Sequence, residues 1–241
     1  MGIVWWSGYL ETNINVKTMD KIKTTHVGSL PRSKRLSEIL FKKDKNELFD
    51  QGELDKLIEE DVDKIVKKQI DIGIDIISDG EMSKISYATY VKDRLHGFSG
   101  ESERRAPKDL DDFPSYKEKI AKSGGTPTYT RPCCTADLKI KDTKSLTKDI
   151  SNLKSALKKN NHSQGFINSA SPGVISNFLP NKFYKNDDKY LEALSKIMKT
   201  EYDEITKNDL LLQIDCPDLA LARHMTFKNV PDEEFLVRAE K

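Results

Sequence analysis

Apolar runs in this 241-residue chain end in segments whose residue types can do chemistry. His26-Val27-Gly28-Ser29-Leu30-Pro31-Arg32 follows the run Lys21–Val27. Gly28 allows a ligand close to the backbone, and the amides of Val27–Ser29 with the Ser29 hydroxyl can grip a carboxylate or phosphate. Arg32 can add a charge. A tight turn holding Pro31 explains the same residues equally well. Asp79-Gly80-Glu81 ends a second run, Ile74–Ser78. Two acids around a glycine can hold an ammonium group or act as acid and base, although in isolation a solvated turn is the better reading. Gln213-Ile214-Asp215-Cys216-Pro217-Asp218 follows Leu210–Leu212. Pro217 stiffens that turn, and a carboxylate emerging from an apolar strand favours a site role for Asp215.

Other reactive residues read as structural. Cys133 and Cys134 lie within one extended segment, so they face opposite sides and cannot chelate one metal together. Cys216 reads as packing. His96, His162 and His224 stand in polar contexts without HxxxH or HxC spacing and read as surface residues; His26 is the exception because it abuts the glycine loop. The sequence therefore offers no metal-ligand set of its own.

These loops need rigid elements behind them. Gly52–Ile70 carries Leu54, Leu57, Ile58, Val62, Ile65 and Val66 on one helical face, with Gly73 as its stop. Leu146, Ile150, Leu153 and Leu157 mark a second helix, and Leu191, Leu194, Ile197 and Met198 a third over Tyr190–Ile205. Strands are expected at Lys21–Val27, Ile74–Ser78, Pro132–Ile140, Gly165–Ser169 and Leu210–Ile214. Val230–Phe235 starts a last helix, with Pro231 near its first turn and acids at its positive end. Strands alternating with helices, without hairpin signals, predict a parallel sheet with right-handed crossovers. Chemistry then collects at the C-terminal strand ends, where the three motifs stand. Residues 97–130 are polar and punctuated by Gly and Pro, which predicts a long, lid-like insertion. Residues 1–18 lack the basic region of a signal peptide, and Met19 opens a more ordinary start. They are expected to form an extension outside the fold, leaving residues 19–241 as the domain; a short packed arm carrying Trp5 and Trp6 is the other possibility.

Composition narrows the class. Forty Lys+Arg against 39 Asp+Glu give a net charge of +1, so nothing in bulk attracts nucleic acid or acidic membranes. No apolar run approaches a membrane span. Three cysteines are too few for a disulfide scaffold. A cytoplasmic protein acting on small molecules is the expectation.

Taken together and in order, TTHVGSLPR, IDIISDGE and LLLQIDCPDLA resemble the strand-end motifs of the cobalamin-independent methionine synthase family, in particular its catalytic C-terminal barrel. TYTRPCC and FINSASPGV stand where that family has weaker motifs. The resemblance implies an α/β fold, a (β/α)8 TIM barrel of which this chain holds about five of eight units. It implies an S-methyltransferase of methionine biosynthesis, in which zinc activates a homocysteine-like thiol toward methyltetrahydrofolate. Carried over by position, His26, Val27, Gly28 and Ser29 would hold the amino-acid end of the substrate, and Glu81 and Asp215 its ammonium group. The family's zinc ligands fall on later strands, beyond Lys241, so the chain alone is expected to be inactive. His26 departs from the biosynthetic pattern. Two alternatives stay open: a thiol-transferring enzyme resembling epoxyalkane coenzyme M transferase, and a non-catalytic truncated barrel.

Overall fold

Asp50 shows how local chemistry fixes the main helix. In the computed structural model, which describes residues 3–5, 21–102, 108–122 and 129–240, its carboxylate accepts the Glu53 N–H at 2.7 Å and caps α2 (Gln51–Asp71). Gly73, left-handed at φ +83, ends the helix as its position predicts. Leu54, Val62, Ile65 and Val66 are buried along one stripe. The same spacing, unnoticed in the sequence, builds α1 (Lys34–Asp44): Ser33 caps it, and Leu36, Ile39 and Leu40 are buried. Helices α5 (Lys144–Lys159) and α7 (Asp187–Lys207) form where the periodicity places them. The short helices α3 (Val91–Arg94), α4 (Pro114–Lys122), α6 (Pro172–Phe178) and α8 (Asp218–His224) complete the set with α9 (Asp232–Ala239).

The sheet is built around β5 (Gly165–Ala170), which pairs in parallel with β2 (Ile77–Ser78) on one side and β6 (Leu211–Asp215) on the other. Leu36, Val66, Ile77, Leu153, Ile167 and Leu212 share one core; Ala170, Val174, Leu179, Tyr190, Leu194 and Met198 share a second. A further strand, β1 (Ile3–Trp5), lies antiparallel along β6, with Ile3 opposite Asp215 and Trp5 opposite Gln213. The expectation that residues 1–18 stand outside the fold does not extend to Ile3–Trp5. An open strand edge offers unpaired N–H and C=O groups, and a β-branched and aromatic tripeptide suits it.

Two expected strands differ. Lys21–Val27 shrinks to one parallel bridge, Thr25 to Ile76. The Thr24 N–H goes to the Asp75 carboxylate at 2.8 Å, so it is lost to any ladder, and Ile22 is 92% exposed, so no apolar face needs burying. The segment Pro132–Ile140 does form β4 (Cys133–Ile140), but outside the parallel sheet, paired antiparallel with β3 (Leu95–Ser99). A parallel strand covered on both faces is apolar throughout. Thr135, Ala136, Asp137 and Lys139 of β4 are exposed, and only an outlying ribbon tolerates that. Of the five expected strands, β2, β5 and β6 pair in parallel and the first contributes one bridge. The insertion at 97–130 is also less irregular than its composition suggests. Its start belongs to β3, and Lys108–Asp112 forms a 3-10 turn before α4. Residues 103–107 and 123–128 of that expectation lie outside the described residues.

Candidate active site

The centre of the site is a residue the motif search passed over. Asn168 sits in β5, all six residues of which are buried. Its Nδ2 donates to Glu81 Oε1 at 2.8 Å and to Asp215 Oδ2 at 2.7 Å. One amide thus ties together carboxylates from the ends of β2 and β6. The Ser29 hydroxyl donates to the second Glu81 oxygen at 2.5 Å, and Gln213 Nε2 to the second Asp215 oxygen at 2.7 Å. Ser29, Glu81 and Asp215, far apart in sequence, therefore meet at one rim.

Backbone geometry holds Glu81 there. Gly80 and Glu81 are both left-handed, at φ +66 and +58. A Cβ on Gly80 would come within 2.8 Å of Met82 and 3.1 Å of Leu30, so glycine is required. The Asp79 carboxylate accepts the Glu81 N–H at 2.9 Å. Asp79 and Glu81 are both buried, which overturns the solvated-turn reading. Burial pushes the Asp79 carboxyl upward, toward its neutral form. Arg32 differs from expectation as well. Rather than offering charge to a ligand, it donates through Nη2 to the carbonyls of Glu81 and Lys84, at 2.6 and 2.5 Å, and clasps that loop.

On the opposite side, Gly28 is left-handed at φ +91, and a Cβ there would meet nothing within 4 Å. Among the described residues, the amides of Val27–Ser29 have no protein acceptor. His26 is half-buried, and its Nε2 is buried without a protein partner. Beyond Asp215, Ser171 caps α6 and donates to Asp218 at 2.8 Å. Gly173 is so close to that carboxylate that a Cβ would fall 2.0 Å from Asp218 Oδ2. Tyr87 stands near both Asp215 and Glu81, and burial is the main cause that raises its phenol to about 12.

The electrostatics follow from these donors. Glu81 and Asp215 are satisfied by an amide or hydroxyl, and among the described residues no Lys or Arg side chain bonds to either. Two carboxylates bonded to neutral donors, with the nearby Arg32 guanidinium spent on the loop carbonyls, together with the free Val27–Ser29 amides suit a zwitterion: ammonium on the acids, carboxylate on the amides.

The donor sets do not suit zinc. Both Cys133 and Cys134 are buried and stand at successive positions of β4. Their thiols point to the carbonyls of Glu101 and Ala136, and burial raises the Cys134 thiol to about 11. Cys216 turns to the Ile214 carbonyl and is likewise raised by burial. Among the described residues no three His, Cys, Asp or Glu side chains group for a metal. His162 is half-buried rather than a surface residue, with Nε2 3.0 Å from the Asp75 carbonyl.

Comparison with known proteins agrees with the motifs. Residues 22–124 match the family model described as "Cobalamin-independent synthase, Catalytic domain". The 5-methyltetrahydropteroyltriglutamate–homocysteine methyltransferase of Bifidobacterium animalis subsp. lactis (strain AD011) is 32% identical over 77 residues, 32% of this chain and 10% of that protein. The protein of the same name from Thermosynechococcus vestitus (strain NIES-2133 / IAM M-273 / BP-1) is 27% identical over 82 residues, 34% of this chain and 11% of that one. Among solved structures, a B12-independent methionine synthase from Shewanella sp. W3-18-1, in complex with selenomethionine, superposes with a TM-score of 0.59 at 18% identity. That overlap takes in 81% of this chain and 52% of the other. The matched segment thus spans about a tenth of the curated relatives, and the chain overlies about half of the solved one. The family resemblance holds over residues 22–124, which include the Gly28 and Glu81 loops, and the fold is that of an incomplete barrel of this type. No helix among the described residues is long and apolar enough to cross a membrane.

Proposed function

We propose that this chain carries the amino-acid-binding part of a methyltransferase site of the cobalamin-independent methionine synthase kind, acting in methionine biosynthesis in the cytoplasm. The observation that carries the reading is the Asn168 bridge, which sets Glu81 and Asp215 as a pair whose carboxylates bond to no Lys or Arg side chain among the described residues. A homocysteine-like thiol places its ammonium group between these acids and its carboxylate on the Val27–Ser29 amides, beside His26. Its side chain then projects away from the clamp with the thiol free. What the chain's residues do is bind and orient. Among the described residues no three His, Cys, Asp or Glu side chains group for a thiol-activating metal.

The two acids also weigh against a thiol resembling coenzyme M. That molecule carries a sulfonate and no ammonium group, so it would bring a second negative charge toward Glu81 and Asp215. The test is calorimetric titration of the full chain with L-homocysteine and L-methionine. Binding is expected, and Glu81→Gln or Asp215→Asn should weaken it at least tenfold, about the 1.5–3 kcal/mol of a hydrogen bond to a charged group. Unchanged affinity in both variants would refute the assignment.

A further inference from the structure

We propose that Lys84 is a positioning residue that keys the Asn168 amide, and through it the spacing and charge of the ammonium clamp; the inference rests on the clamp reading above. Lys84 is 1% exposed, and its Nζ donates to Asn168 twice, to the backbone carbonyl and to Oδ1, the latter at 3.0 Å. An asparagine side chain has two faces, one accepting and one donating. Only one orientation puts Nδ2 toward Glu81 and Asp215; the flipped one would set the Oδ1 lone pairs against two carboxylates. An ammonium group has donors only, so Lys84 can bond only the accepting Oδ1 end of the amide. It therefore forces the amide hydrogens onto the acids and, by polarising the amide, strengthens both bonds.

The surroundings fit positioning better than simple packing. Lys84 Nζ lies 4.7 Å from the centre of the Tyr90 ring. The buried acids Asp79, Asp149 and Glu201 lie near enough to act on its charge, yet among the described residues its ammonium bonds go to Asn168 alone. The acids offset the cost of a buried ammonium, and Asn168 is the group it holds. The Tyr90 platform is itself fixed. Its hydroxyl donates to Glu201 at 2.5 Å and lies 3.1 Å from the Ser169 hydroxyl, while Arg94 pairs with both Glu201 and Asp149. A rigid floor thus supports the lysine that holds the amide.

The experiment compares L-methionine with its des-amino analogue, 4-(methylthio)butanoate, on the full chain by titration calorimetry, alongside the Asn168 side-chain amide protons by 15N NMR. Wild-type protein should prefer L-methionine at least tenfold. Lys84→Met should bring that preference within about threefold and shift the Asn168 amide protons, while Lys84→Arg, which keeps the donors, should retain both. A merely structural lysine would lower stability without touching the preference. Should Lys84→Met not fold, Lys84→Leu likewise removes the donor and is read the same way. A folded Met or Leu variant with the wild-type preference and unshifted amide protons overturns the proposal, as does failure of both to fold. If the wild-type chain shows no preference, the clamp reading itself fails first.

Discussion

Gly80 and Glu81 turn left-handed in succession, and the second of them is a non-glycine residue whose carboxylate the site uses. Such backbone is costly and persists only where its surroundings over-determine it. Here Arg32 on two loop carbonyls, Asp79 on the Glu81 N–H and Gly80 against Leu30 do so. Gly80→Ala should therefore cost about 1–3 kcal/mol, since it adds both a disfavoured φ and a clash. Urea unfolding measures this, and a loss under about half a kcal/mol would show that the turn relaxes freely. The types of Gly28, Glu81 and Asp215 were legible because each follows an apolar run beside a glycine or proline. Asn168 and Lys84 were not: Asn168 in FINSA reads as an interruption of an apolar run, and Lys84 in EMSKISYATY as one polar residue among several. Only pairing across 84 positions gives them meaning.

Among the elements, the first bridge depends on side chains more than on a ladder. Asp75 accepts Thr24 N–H and Oγ1 and pairs with Lys21 at 2.7 Å. Chiefly through the Lys21 bond, its carboxyl is held down at about 2 against an ordinary 3.8. A depressed carboxylate stabilises fully above its unfolded pKa and loses that contribution as pH falls through the folded one. The tether of residues 21–28 should therefore hold above pH about 4 and loosen toward pH 2. Faster amide exchange of Thr24 and Ile76 across that window checks it, and Asp75→Asn should exchange fast at every pH. A different balance governs Arg94, buried against Glu201 and Asp149. Arg94→Met leaves two buried acids facing no guanidinium, with an expected loss of about 3–5 kcal/mol in chemical denaturation. The Arg94 network was not visible beforehand, because charge in a helix reads as a solvated face until the partner element is placed. β4 passed as a parallel strand because its length and small apolar Cys133–Cys134 start fit, and only its exposed Asp137 and Lys139 told otherwise.

For the molecule as a whole, the order β1-β6-β5-β2 puts an antiparallel strand beside β6, where every other pairing in the sheet is parallel. Alternating strand and helix were readable at long range, and so was the sheet; that Ile3–Trp5 would join it was not, since three residues carry no periodicity. The pairing does two things. It covers the edge of β6 along Gln213–Asp215, and such an edge left uncovered is a template for association with another chain. It also pairs Ile3 with Asp215, so it steadies the backbone that carries half of the ammonium clamp. Protein beginning at Met19 should then differ from the full chain in three linked ways. The β6 amides facing β1 should exchange faster while those facing β5 stay protected, because a local opening exposes one edge only. Sedimentation should show more self-association at equal concentration. L-Methionine affinity should fall severalfold, less than in Asp215→Asn, because the carboxylate is kept and only its backbone support is lost. Identical exchange along both β6 edges in the two proteins would mean that residues 3–5 contribute no cover, and that the site stands on β2, β5 and β6 alone.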